Sequence, residues 1–185
     1  MTRCCVSSKP PCLAGTADRV LDELRRQGAA TLEGYRVARL DHALQSATRA
    51  ERDGAEADWI VGALSHDIGD GLAPQNHDRL SAEVLRPFVR REVTWVVERH
   101  GTFRMLYYGE HDGWDENARE RYRGHPRFDA CSDFCARRDQ SSFDPDYDSE
   151  SLEHFAPSVR EVFSRTASDP AVVREGFVGG LPASA

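Results

Sequence analysis

The chain has 185 residues, enough for one domain that buries most of the surface its unfolded form exposes, so disulfide staples are not required. Its net charge of −7, from 31 acidic and 24 basic residues, argues against a general binder of nucleic acid or of an anionic membrane surface. No apolar run approaches the length of a membrane-spanning helix and the N-terminus has no apolar h-region, so the expectation is a cytoplasmic protein acting on a small molecule.

Residues 1–15 carry Cys4, Cys5 and Cys12 in a Pro- and Ser-bearing segment without helical or strand period, and are expected to be loose. From Thr16 to Gly28 the apolar spacing predicts a helix, with Thr16 or Asp18 as cap and Gly28 as stop. "LDHALQSATRAERDG" repeats the pattern and ends at Gly54. "EADWIVGALSHDIG" is apolar on nearly every side, which marks a central, buried helix. "NHDRLSAEVLRPFV" and "REVTWVVERHG" follow as two helices separated near Pro87. The polar and aromatic stretch "MLYYGEHDGWDENARERYRGHP" reads as a long, lid-like connection. Beyond it "PRFDACSDFCARRDQ" and "SLEHFAPSVREVFSR" read as helices, and residues 168–185 as a loose tail. No strand alternation and no internal repeat is present. The predicted fold class is all-α, a single helical bundle over residues 16–167. Cys131 and Cys135 lack the C-x₂-C spacing of zinc pairs and read as reduced thiols.

Chemistry concentrates in "ALSHDIGDGLAPQNH". His66 and Asp67 close the most apolar helix, where an unpaired carboxylate would be costly. His42 lies within the preceding helix, His77 opens the following one, and His100 ends the one after that. Four histidines and an aspartate therefore come from four successive helices near the bundle interior, where facing helices build metal sites. Nitrogen with carboxylate oxygen suits iron, zinc or manganese better than calcium or magnesium. Neighbouring helical positions point about 100° apart, and a carboxylate, unlike an imidazole, can bridge two cations.

The order His42, His66–Asp67, His77, His100 resembles the HD-domain superfamily of metal-dependent helical proteins, over roughly residues 32–165. The resemblance implies an HD-domain bundle with a two-metal site closed by a late aspartate, for which Asp139 is the best match and Asp133 the runner-up. It implies that His42, His66, Asp67 and Asp139 hold one metal, and that Asp67 bridges to a second held by His77 and His100. Of the two branches with such sites, "LDHALQSATRAERDGA" and "SLEHFAPSVREVF" resemble the mixed-valent diiron oxygenases, which include organophosphonate-cleaving enzymes and myo-inositol oxygenase. That branch implies an oxidoreductase, a dioxygenase with two iron ions in the Fe(II)/Fe(III) state and O2 as co-substrate. It would cleave a C–P or C–C bond in a small hydroxylated, anionic or zwitterionic substrate. The alternative branch implies a metal-dependent phosphohydrolase acting on a phosphate ester or nucleotide.

The chain departs from the phosphonate-cleaving pattern at three places. Their His-Asp-x-Gly-His reads "HDIGD" here, with Asp70 at the end, and a Tyr-x-x-Glu pair is matched by Leu32 and Tyr35. A lysine is replaced by Arg104, which preserves an anion clamp because guanidinium grips phosphonate or carboxylate bidentately. Asp70 would repel a phosphonate and welcome an ammonium group or hydroxyls. Tyr35 would gate the site or donate to bound oxygen, or simply pack. Tyr107, Tyr108 and Trp114 would line a pocket or pack on the surface. His111–Asp112 read as solvated, and His125 and His154 as structural. "FDPDYDS" reads as a turn held by its aspartates, without the Gly and Glu of a calcium loop.

Overall fold

The structure, a computed structural model, describes residues 15–28 and 37–173, the side chains of Glu110, His111 and Asp112 excepted. Helix α1 spans Thr16–Gln27, α2 Arg39–Arg52, α3 Ala57–Ser65, α4 His77–Leu85, α5 Arg91–Asp112, α6 Phe128–Phe134 and α7 Leu152–Ser164. A 3₁₀ turn at Ala118–Tyr122 precedes α6, and α6 runs on into a π turn at Cys135–Asp139. No strand occurs among the described residues, so the fold is all-α.

Helix α3 is the hub, packed against α2, α5 and α7, while α4 lies along α5 and α1 along α7. Every residue from Asp58 to Ser65 is buried. Trp59, Ile60, Val61 and Leu64 each contribute about 1.5–3 kcal/mol by leaving water. The buried Asp58 is compensated at the start of this helix. It accepts from the backbone N–H of Arg90 at 2.8 Å and from Arg165 Nη1 at 2.6 Å, fixing α3 to the start of α5 and the end of α7.

Two expectations need correction. The helix expected to end at His100 does not stop there, because α5 continues to Asp112 and takes in Gly101 and the first part of the expected connection. The role of Gly101 is close packing: a Cβ there would lie 3.1 Å from Asp78 Oδ2 on α4. The rest of the connection folds back on α5, with Tyr122 stacked on Phe103 and set edge-on to Trp95. Residues 168–173, the start of the expected tail, form turns in which the Ser168 N–H donates to Pro87 O at 2.7 Å. Residues 1–14 and 174–185, and with them Cys4, Cys5 and Cys12, lie outside the described residues.

The α3–α5 contact leaves no room for a methyl group: a Cβ on Gly62 would lie 2.5 Å from Val93 Cγ1, itself fully buried. Gly62→Ala is expected to lose about 1–3 kcal/mol by overpacking. The urea midpoint against wild type measures it, and an unchanged midpoint would show that α3 and α5 are not locked at this spacing.

Candidate metal centre

Helix α3 ends at Ser65, and the chain continues from His66, itself helical in backbone, through consecutive tight turns to α4. Gly69 makes this possible, since a Cβ there would lie 2.9 Å from His77 O and 3.0 Å from Leu80 Cβ. The Gly69 N–H donates to Ser81 Oγ at 3.1 Å, and Gln27 Nε2 on α1 donates to Ile68 O at 3.0 Å. The His-Asp turn is thus clamped between α1 and α4.

Around Asp67 four imidazoles converge. Asp67 Oδ2 lies 3.6 Å from His42 Nε2 and 3.5 Å from His66 Nε2. Asp67 Oδ1 lies 3.3 Å from His77 Nε2 and 3.1 Å from His100 Nε2. The two oxygens of one carboxylate therefore face two different histidine pairs. Asp139 joins the first pair, its Oδ1 3.5 Å from His42 Nε2 and 3.9 Å from His66 Nε2. Such separations are the edges of a coordination polyhedron with bonds of roughly 2.1 Å, the length divalent metals make to imidazole and carboxylate.

Each ring is turned so that Nε2 faces inward. His66 Nδ1 donates to Ala63 O at 2.7 Å, His77 Nδ1 to Pro74 O at 2.9 Å and His100 Nδ1 to Val97 O at 2.7 Å, in each case the carbonyl three residues earlier. His42 Nδ1 donates to Ser142 O at 2.9 Å. A carbonyl only accepts, so Nδ1 carries the proton and, in the neutral ring, Nε2 presents a lone pair. This backbone tether on the far nitrogen is the support that metal-binding histidines use.

The arrangement is poorly satisfied by protein groups alone. His42 Nε2 and His66 Nε2 are 3.0 Å apart, and two neutral rings tethered this way would face each other with lone pairs. His77 Nε2 and Asp139 Oδ2 are buried without a hydrogen-bond partner. Cations between these donors would satisfy all of them, so the residues present fit metal ions. Burial pushes the His66 imidazole down to about 4, against the pull of Asp67, keeping it neutral as a ligand must be. For Asp67 its enclosed position opposes ionisation, yet His66 and the His100 hydrogen bond hold its carboxyl well below the usual range. Burial likewise opposes ionisation of Asp139, but Arg104 and then His66, His42 and His100 keep it ionised below the usual range.

Exposure is uneven. The side chains of His42, His66, His100 and Asp139 are at most 2% exposed, whereas Asp67 and His77 are each 17% exposed. Phe143 stacks on His42 at 4.3 Å and Phe134 meets His66 edge-on at 5.5 Å, so the inner side is dry and the open side is at His77.

Of the two aspartates weighed as the last ligand, Asp139 is in the cluster. Asp133 turns away to bind Arg138 Nη1 at 2.7 Å and Arg137. Asp139 ends the π turn, in which the Gln140 N–H donates to Cys135 O, five residues back. Arg104, one turn after His100, favours the ionised Asp139 by its charge and lies 5.3 Å above the Tyr108 ring. Asp70 is not an isolated charge, because Arg39 Nε donates to its Oδ2, and its Oδ1 is 3.7 Å from His77 Nδ1. Leu32 and Tyr35 lie outside the described residues. His125 stacks on Trp95 at 4.2 Å and His154 pairs with Glu51 at 2.9 Å, both away from the cluster. Cys131 and Cys135 are free thiols, and their Sγ–H groups point to the carbonyls of Val96 and His100. In the "FDPDYDS" turn Asp144 Oδ1 accepts from the Asp146 N–H at 3.0 Å.

Residues 39–128 match the family model of the HD domain, a stretch that contains all four clustered histidines and Asp67 but stops short of Asp139. Residues 39–128, just under half of the chain, carry the HD-domain pattern. It is also similar to a [1-hydroxy-2-(trimethylamino)ethyl]phosphonate dioxygenase (glycine-betaine-forming) from Leisingera caerulea, at 36% identity over 86 residues. That match spans 40% of this chain and 44% of the relative's length. At the level of the family, the likeness is to an HD-domain oxygenase.

Asp139→Ala is expected to lose metal from iron-loaded protein, and Asp133→Ala to keep it. The latter should melt at lower temperature, since the fully buried Arg138 loses one of its two carboxylates. Metal analysis with thermal denaturation separates the two, and metal retention in Asp139→Ala would remove that residue from the site.

Proposed function

We propose that the cluster holds two iron ions, one on His42, His66 and Asp139, the other on His77 and His100, with Asp67 bridging them. The chain would act in the cytoplasm as a diiron oxygenase that uses O2 to cleave a C–P or C–C bond in a small hydroxylated, anionic or zwitterionic substrate. One observation carries this reading: the two oxygens of Asp67 are divided between two histidine pairs. The likeness to a phosphonate dioxygenase favours oxygen chemistry and a hydroxylated phosphonate as the first compound to test.

When bound, the irons would supply a Lewis acid for the substrate hydroxyl and the electrons that activate O2. The protein's own part is positional. The backbone tethers on the four Nδ1 atoms hold every donor nitrogen toward the centre before metal or substrate arrives. Phe134 and Phe143 keep water from the inner side. Arg104, on the face of α5 that carries His100, would grip the substrate anion. With a hydroxyphosphonate the balance is one O2 consumed for each carboxylate and phosphate formed, an oxygen atom entering each product.

Iron-loaded protein is expected to consume O2 and release phosphate in equal amounts from an α-hydroxyphosphonate, and neither without the other. Arg104→Ala should raise KM about 10- to 100-fold while leaving iron content unchanged, the cost of losing one charge-assisted contact. Phosphate release from phosphate esters in the absence of O2 would favour the phosphohydrolase and contradict the oxygenase. Loss of iron in Arg104→Ala would contradict the clamp.

A further inference from the structure

Arg39 opens α2 one turn before His42, on the same helical face. A cation in a helix's first turn opposes the macrodipole, so its presence there needs compensation. Asp70 supplies it: Arg39 Nε donates to Asp70 Oδ2, and Asp70 in turn is held by its own N–H to Asp67 O at 2.9 Å. The pair lies at the open edge of the cluster. Arg39 is 23% and Asp70 18% exposed at the side chain, matching His77 and Asp67 and unlike the sealed donors of the inner side. Asp70 Oδ1 is 3.7 Å from His77 Nδ1, so one imidazole ring separates the pair from the second group of donor atoms.

We infer that Arg39 is an anion-binding, specificity-determining residue of this site, and that Asp70 is the positioning residue that aims it. The inference rests on the function proposed above and names the group that meets the substrate's acidic end on the open side. Asp70 engages the guanidinium through Nε, while the two amino groups are buried nowhere and lack a hydrogen bond to any described residue. A planar fork with one edge anchored and the other toward solvent suits a phosphonate or carboxylate oxygen pair. The aspartate that seems from sequence to repel an anion instead works through the arginine it holds.

The two roles for Asp70 predict opposite signs, which makes the test direct. The probe is α-hydroxyethylphosphonate, titrated calorimetrically without oxygen into iron-loaded wild type, Arg39→Gln, Arg39→Lys and Asp70→Asn, each checked for iron content and melting temperature. Arg39→Gln is expected to weaken binding about 10- to 100-fold and Arg39→Lys to recover part of the loss. Asp70→Asn, although it removes a negative charge, should also weaken binding, by about tenfold, as Arg39 loses its aim. Tighter binding in Asp70→Asn, or unchanged binding in Arg39→Gln, overturns the inference and leaves the oxygenase reading intact. Wild type that fails to bind the phosphonate overturns both.

Discussion

The convergence of four imidazole Nε2 atoms on Asp67 is the constraint around which the rest of the chain is arranged. Four imidazoles, each with its far nitrogen committed to a backbone carbonyl, bring their remaining nitrogens against two carboxylates in a nearly dry interior. Without cations the first histidine pair faces nitrogen to nitrogen at 3.0 Å, and Asp139 keeps one buried oxygen without a hydrogen bond. With cations each defect becomes a bond. The fold serves this geometry at identifiable points: Gly69 lets α4 dock on the His-Asp turn, Gln27 ties the turn to α1, and the π turn carries Asp139 at its end.

The asymmetry of the site bears on function. The donors of the first group are sealed behind Phe134 and Phe143, whereas His77 and one edge of Asp67 reach solvent. A small substrate and O2 would therefore meet the second group, with Arg39 on its open flank and Arg104 one turn beyond His100. Arginine on both sides fits an anionic substrate in a chain whose net charge is negative, because local fork geometry decides such contacts more than overall charge does.

Much of this is local in sequence and could be read there. The apolar run ending at His66–Asp67 marked both the central helix and the centre of the site, and the three i−3 carbonyl tethers follow from ordinary turn geometry. What escaped was set by distant partners or by backbone irregularity. The helix of His100 reads as ending there, yet it runs on to Asp112, with Gly101 a packing position against Asp78. Asp133 and Asp139 lie in one helical pattern about 120° apart, and the choice between them is set by the arginines that hold Asp133, not by the pattern itself. Asp70 reads as a free charge because its partner, Arg39, is 31 residues away. Ser142, whose carbonyl orients His42 from 100 residues away, carries no sequence signal.

The central claim, a carboxylate shared between two metals, is tested most directly by electron paramagnetic resonance of iron-loaded protein prepared without oxygen and then partly oxidised. The account predicts two irons per chain and an exchange-coupled, mixed-valent signal that disappears in Asp67→Ala. One iron per chain, or an uncoupled ferric signal that survives Asp67→Ala, would contradict it.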